Sequence, residues 1–470
     1  MPPLPNEIWR LVFSFFESTV AQEPFYYYRY GEGVSHHPEL VSLSLVCRQL
    51  YPLAMDVLYR TLLLSVELRR ASAEKKFGIL RTLAASPWIR STTRAVELGR
   101  HSSLLEDGLD PDLEEVVDSL HIPGPFKEFL KKEPDCEDNY GPTVPFLLLA
   151  LTPKVKLVQC TYSLKTDIMV PWILGGHLDR ETARNPQKTI ANYLVDLEEV
   201  RLTDLNGFGM FDRIEPVLLH PNIRTLHLSE FDCTEKAIKG LMFPDQSCGL
   251  QKLVLQDCAV DAPFVQHILS RCTNLHSLDI YDTFWCQCRD MAGHAKINLD
   301  EYGQVLRDFG QNLVRFALNI DAFTSPYGIT GKIGSLRKLK HLRHLLITKR
   351  ELVGKEEEGH VMPLAEVLPY SLETLHFYLS LSEDDYHSSH QNPNLPSEDN
   401  DKIFALVSSG QFTNLRKLTF IRWGIPENDK FTKVIEGWDI QEKGVQDTEG
   451  NSPGSEAELV DMELVMVRKK

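Results

Sequence analysis

Several things are scarce in this sequence, and each shortage narrows what the chain can be. Its 470 residues hold no long hydrophobic run. The longest, around Val144 to Leu151, falls far short of the roughly 18 apolar residues that mark a membrane span. Basic residues are outnumbered, 50 against 66 acidic ones, for a net charge of −16. A protein that grips a phosphate backbone needs a surplus of Lys and Arg to displace counterions, so nucleic acid is not an expected partner. Cysteine is sparse and odd in number, nine in all. That is no disulfide framework, and it points to the reducing cytosol or the nucleus. The opening MPPLPNEIWR has no basic stretch leading into an apolar one, so a secretory leader is not expected.

Motifs that carry chemistry are equally thin. Gly31-x-Gly33 lacks the third glycine and the flanking strand of a dinucleotide site, and neither a G-x-x-x-x-G-K-[ST] loop nor a G-x-S-x-G elbow occurs. The best metal candidate is Cys286-x-Cys288 with Cys258, Cys272 and His294 nearby in sequence. Zinc usually takes two spaced pairs of such ligands, and only one close pair is present. Cys258 and Cys272 read as ordinary small buried residues. His36-His37 and His387/His390 lie in polar stretches with no acidic partner at a diagnostic spacing. The expectation is therefore no catalytic residue, no metal and no cofactor.

What the chain does have is core-forming residues, 43% of the total. Near the N-terminus, Pro5 precedes Ile8, Leu11, Val12, Phe15 and Phe16, whose offsets of 3, 4, 7 and 8 make one helical stripe. Two more short runs come next, Leu40/Leu43/Val46/Cys47/Leu50 after Pro38 and Leu53/Ala54/Val57/Leu58/Leu62 after Pro52. Three such helices bury too little surface to stand alone, so a partner or the rest of the chain must cover what remains.

The run Leu4-Pro5-x-Glu7-Ile8-x-x-x-Val12-Phe13-x-x-Phe16, then Leu43-x-Leu45-Val46-Cys47-Arg48-x-x-Tyr51-x-x-Ala54, resembles an F-box motif. Leu58-Tyr59-Arg60-Thr61-Leu62 is similar to the segment directly C-terminal to that motif in many fungal F-box proteins. The sequence departs from the family in the aromatic insertion EPFYYYRYGEGVSHHPE, which stands where a short turn is usual. By resemblance, Leu4, Pro5, Ile8, Leu45 and Val46 would supply the apolar contacts to a Skp-type adaptor.

Beyond that segment an apolar-x-x-apolar-x-apolar template recurs. It starts at Leu197, Ile223, Leu250 and Leu275, at intervals of 26, 27 and 25 residues, then at Leu313, Leu342, Leu372 and Leu415 with wider spacing. Weaker copies sit at Val96/Leu98 and Val155/Val158. Between copies come helical spacings, Ala262/Val265/Ile268/Leu269 and Leu299/Tyr302/Val305/Leu306/Phe309, and turns such as Pro221-Asn222, Thr273-Asn274 and Thr413-Asn414. Strand, helix, turn, strand is a parallel solenoid unit that buries its leucines only against its neighbours. The pattern resembles the leucine-rich repeats of F-box proteins, without the asparagine ladder of a regular array.

The expected architecture is α/β: a three-helix F-box over 1–63, a helical and irregular linker with weak first repeats over 64–196, a right-handed leucine-rich-repeat-like solenoid with a parallel sheet on its concave face over 197–424, and an acidic, mobile tail over 425–470. The last residues of that tail, ELVDMELVMVRKK, alternate enough for a late strand or a helix. Residues 381–401 read as an exposed acidic loop. The resemblance implies a substrate receptor of a Skp–cullin–F-box ubiquitin ligase, with no bond chemistry of its own. Its partners would be the adaptor, through it a cullin, and an unidentified target, with neither nucleic acid nor membrane. The alternative is a repeat scaffold with no ubiquitin role. Strand alternation sends Arg201, His227, Asp279, Tyr281, Arg315, His376 and Tyr378 to the face opposite the leucines, where a target would be read.

Overall fold

The computed structural model describes residues 5–17, 37–63, 73–98, 111–120, 124–131, 143–162, 194–204, 209–239, 241, 248–282, 297–320, 329–354, 363–379, 405–425, 435–445 and 460–469. They form two compact units: Met1–Asp232 with Lys239–Leu250, and Cys233–Ile238 with Gln251–Lys470. The aromatic insertion, the loop 381–401 and the Cys286/Cys288/His294 group lie outside the described residues, the first apart from its last three residues.

The first unit opens with helices α1 (Asn6–Ser14), α2 (His37–Ser44) and α3 (Leu50–Leu58). They enclose Phe13, Leu40, Leu50, Leu53, Ala54, Val57 and Leu58, with Trp9, Phe16, Leu43, Met55 and Tyr59 half-buried around them. Five parallel strands come after them: β1 (Thr61–Leu63), β2 (Ala95–Leu98), β3 (Leu157–Tyr162), β4 (Glu199–Asp204) and β5 (Thr225–Ser229). Parallel neighbours need crossovers, and helices α4 (Ala73–Ala85) and α5 (Pro87–Thr92) lie between β1 and β2. The register runs Leu62, Val96, Val158, Val200, Leu226, one buried side chain per strand in a single row. Residues 64–196, expected to be a helical and irregular linker with weak first repeats, contribute two members of the sheet, β2 and β3. The weak copies at Val96 and Val158 are in register with the strong ones.

In the second unit β6 (Lys252–Gln256), β7 (Ser277–Asp282), β8 (Arg315–Ile320), β9 (His344–Thr348), β10 (Thr374–Leu379) and β11 (Lys417–Ile425) are parallel in sequence order. The tail expected to be mobile is largely strand where it is described, and its last residues take the strand of the two alternatives, strand or helix, that their alternation left open. Its residues form β12 (Trp438–Val445) and β13 (Val460–Arg468), and β13 pairs antiparallel with both β11 and β12. The reason is visible in the sequence. Leu464 and Met466 alternate as a half-buried strand does, and both are buried against Phe420 and Leu418, their register partners. The resulting row, Leu253, Leu278, Phe316, Leu345, Leu375, Leu418, Met466, is no more than 2% exposed at any position.

Helices α6 (Ala262–Arg271) and α7 (Leu299–Phe309) are set by their caps. The Asp261 carboxylate accepts from the Phe264 amide at 2.9 Å, and the Asn298 side chain accepts from the Asp300 amide at 3.1 Å. Each cap is worth about 1 kcal/mol. Leu299, Tyr302, Val305 and Leu306 are buried as the spacing requires, but Phe309 is 39% exposed and leaves the stripe in the last turn. The α7 backbone passes so close to the next repeat that a Cβ at Gly303 would overlap the Ile333 carbonyl.

The repeats are also tied together at their turns. Asn222 Nδ2 donates to the Val195 carbonyl (2.7 Å), Asn312 Nδ2 to Thr273 (3.0 Å), Ser371 Oγ to Leu342 (2.7 Å) and Asn414 Nδ2 to Tyr370 (3.4 Å). These asparagines form no continuous ladder, yet they satisfy one turn carbonyl each. Cys248 and Cys272 are both buried and disulfide-bonded, which corrects the reading of Cys272 as a plain buried thiol.

Candidate interaction surfaces

Helix α1 carries apolar residues on both of its sides, and of the stripe that the spacing singled out only Phe16 packs against the core. Phe13 is fully buried, with Trp9 and Phe16 half-buried at offsets of 4 and 3, and the Trp9 and Phe13 rings stack with centroids 6.0 Å apart. Ile8, Leu11, Val12 and Phe15 therefore stay outside, at 43, 59, 36 and 76% exposure. From the second helix and the turn after it, Val41, Leu45 and Val46 are exposed too, the last two at 79 and 66%. Of the residues expected at an adaptor interface, Pro5, Ile8, Leu45 and Val46 are all exposed, and Leu4 lies outside the described residues. The bundle is pinned from its solvent side. Arg60 bridges Glu17 (2.9 Å) and Asp56 (3.0 Å), and Gln49 donates to Asn6 (3.1 Å). Leaving this many large apolar side chains uncovered on three short helices costs solubility, and such sets mark interaction sites.

The second candidate surface is the sheet face opposite the leucines. In the first unit Arg201 and His227 both converge on Glu199, with Arg201 Nη2 at 2.7 Å and His227 Nε2 at 3.4 Å from the same oxygen. In the second unit Asp279 and Tyr281 on β7 meet Arg315 on β8. Arg315 Nε donates to both Asp279 oxygens (2.9 and 3.1 Å) and its Nη2 to the Tyr281 hydroxyl (3.2 Å). Burial raises the pKa of the Asp279 carboxyl, while the Arg315 charge and hydrogen bonds pull the other way. His376 on β10 is pushed down to about 4 by burial and then by the Lys417 and Arg315 charges, so it is a neutral imidazole at physiological pH. The Tyr378 side chain lies outside what the structure describes.

This face is less open than strict alternation suggests. Its middle row in the second unit, Val254, Asp279, Ala317, Leu346, His376, Thr419 and Val465, is buried at every position except the half-buried His376. Tyr281 packs against Ala317 and Leu346 as a small apolar cluster of its own. Exposed or half-exposed groups remain in the flanking row, Lys252, Arg315, His344 and Lys417. Asp279, expected to read a target, is instead 3% exposed and engaged by Arg315. Among the described residues no cluster of three or more His, Cys, Asp or Glu could hold a metal ion, and no helix is long and apolar enough to cross a membrane.

No family model matches the chain, and no curated protein matches it. Among solved structures it is similar to a chain of the TLR13–ssRNA13 complex, at 14% identity over 49% of this chain and 26% of that one, with a TM-score of 0.28. It is also similar to a chain of the yeast Rad7–Elc1 complex, at 11% identity over 71% of this chain and 89% of that one, with a TM-score of 0.21. The chain thus spans about a quarter of the first of these. At such scores the repeat-solenoid architecture rests on the strand register described above.

Proposed function

We propose that this chain is the substrate-recognition subunit of a Skp–cullin–F-box type of ubiquitin ligase. Its N-terminal helices dock on the adaptor, and its repeat sheet holds the target. The observation that carries this reading is the exposed apolar set Ile8, Leu11, Val12, Phe15, Leu45 and Val46 on a bundle whose own core is already complete without them. Four of the six, Ile8, Val12, Leu45 and Val46, are positions of the F-box-like pattern read from the sequence. An adaptor laid across it removes apolar area from water at about 25 cal/mol per Å², and a few central anchors would dominate.

In this role the chain does no bond chemistry and takes no cofactor. Holding a target beside a charged conjugating enzyme raises the effective concentration of the reacting groups. The reading includes a cytoplasmic or nuclear location. The disulfide-bonded Cys248 and Cys272 stand against a reducing compartment, and thiol counting on protein purified under non-reducing conditions tests that part directly. The role itself is tested by co-purifying the full chain with a Skp-type adaptor and a cullin. Capture of both supports it, and a chain that captures neither is a repeat scaffold without a ubiquitin role.

A further inference from the structure

In a chain with 66 acidic residues, the stretch from Ala322 to Arg350 contains none. It carries Lys332, Arg337, Lys338, Lys340, Arg343, Lys349 and Arg350. The turn before β9 concentrates five basic groups. Leu336, Leu339 and Leu342 are each fully buried, and the backbone is held by Leu336 N–H to the Val367 carbonyl (2.8 Å) and Leu339 N–H to Leu336 (2.9 Å). Because those three leucines are anchored inward, Arg337, Lys338, Lys340, His341 and Arg343 are all turned out and exposed. Arg416, in the turn before β11, is exposed as well.

Among the described residues two acids are near them, Glu373 and the exposed Glu366, whose carbonyl accepts from Ser335 Oγ at 3.4 Å. Arg343 lies 3.4 Å from Glu373, while Lys338 and Lys340 make no ion pair with any described residue. Arg337 is fixed by its hydrogen bond to the Ala365 carbonyl and lies 4.7 Å over the Tyr370 ring, itself 49% exposed. The patch is therefore a preorganised basic surface on a chain whose net charge is −16.

We propose that this turn is a docking site for a short acidic segment of a partner polypeptide, several Asp or Glu in succession. Two features select that occupant over a nucleic acid. Among the described residues of the patch, Tyr370 is the exposed aromatic ring, and Arg337 already lies over it, which takes a face that a base would stack on. The patch is also short. Neighbouring parallel strands lie about 4.8 Å apart, so the turns before β9, β10 and β11 span roughly 10 Å, the reach of three or four extended residues. Beyond about 8 Å charges are screened at physiological salt, and a longer polyanion gains nothing from a net acidic surround. The inference is independent of the adaptor reading, since its test contains no adaptor.

The test is fluorescence anisotropy of a fluorescein-labelled hexaglutamate peptide titrated with the full chain at low and physiological salt. Binding that weakens with salt is expected. Lys338→Glu with Lys340→Glu should lower affinity at least tenfold, and Lys338→Gln with Lys340→Gln by a smaller factor. Charge reversals at Lys154 and Arg10, exposed residues of the first unit, should leave it unchanged. Any of three results would overturn the proposal: no binding by the wild-type chain, equal affinity in the Lys338/Lys340 variants with unchanged circular dichroism, or tighter binding of a uridine hexanucleotide than of hexaglutamate.

Discussion

Arg315 reaches across from β8 to set its Nε against both carboxylate oxygens of Asp279 on β7, at 2.9 and 3.1 Å, while Asp279 keeps only 3% of its surface in water. The register explains the reach. Asp279 is the direct partner of Ala317, two residues on from Arg315, so a long side chain crosses the diagonal over a residue with almost none of its own. A carboxylate that deep depends on its partner to stay charged, and leaving it without one costs more than the pair contributes.

Arg315→Ala is accordingly expected to destabilise the protein by about 2–4 kcal/mol. Adding Asp279→Asn should recover part of that loss, because it removes the stranded charge. Urea unfolding of the two single variants and the double variant gives the coupling, and a loss under about 1 kcal/mol for Arg315→Ala would contradict a structural role for the pair.

Glu351 behaves as a buried clasp. Its oxygens accept from the Ile320 amide (2.6 Å) and the Thr348 amide (3.0 Å), tying the end of β8 to the end of β9, and burial raises it to about 7 against the pull of those amides. A folded-state value above the unfolded one means that its contribution is fully present below the ordinary value of 4.5 and is lost as pH rises to about 7. Relative to Glu351→Gln, the wild-type chain should lose up to about 3 kcal/mol between those limits. Parallel pH profiles of the two proteins would refute the burial argument.

His376 has the opposite sign. Its value is depressed from 6.5 to about 4, so its contribution is present above 6.5 and disappears as pH falls through 4. His376→Gln should flatten the acid limb of the stability profile over that window while leaving the limb near pH 7 unchanged. An acid limb identical to wild type would show that the imidazole charges without penalty.

The turn asparagines are expected to contribute modestly. Asn312→Ala strands one carbonyl, that of Thr273, and should cost about 1 kcal/mol. Asn414→Ala, whose bond is longer at 3.4 Å, should cost less. The ordering of the two denaturation midpoints is the check.

Much of this architecture was legible because the repeat writes the same message many times. Eight copies of the leucine template gave eight sheet segments, and Val96 and Val158 joined the register despite weak local signals, since a parallel neighbour supplies the missing pairing. At the C-terminus composition and alternation pointed different ways, and alternation alone left strand and helix open. The acid-rich stretch after Ile425 hides Val460 to Arg468, whose inward residues Leu464 and Met466 follow the strand period. Helix α1 left a different question open. Both the stripe Ile8/Leu11/Val12/Phe15 and the stripe Trp9/Phe13/Phe16 fit a helix, and periodicity alone does not say which faces in. Packing decides it, because the aromatic stripe fills the space over Leu40, Leu53 and Val57. The buried middle row of the sheet face could not be read from alternation either, since small residues such as Ala317 let long neighbours close over them.

The most direct test of the central claim is the affinity of a purified Skp-type adaptor for the full chain, measured by calorimetry beside Leu45→Asp with Val46→Asp. These side chains are 79 and 66% exposed, so the substitutions leave the helical core untouched. The account predicts tight binding by the wild-type chain and at least a hundredfold loss in the variant, about 2.7 kcal/mol or more, with unchanged thermal unfolding. Equal adaptor affinity in the two proteins, or no adaptor binding by the wild-type chain, would contradict it.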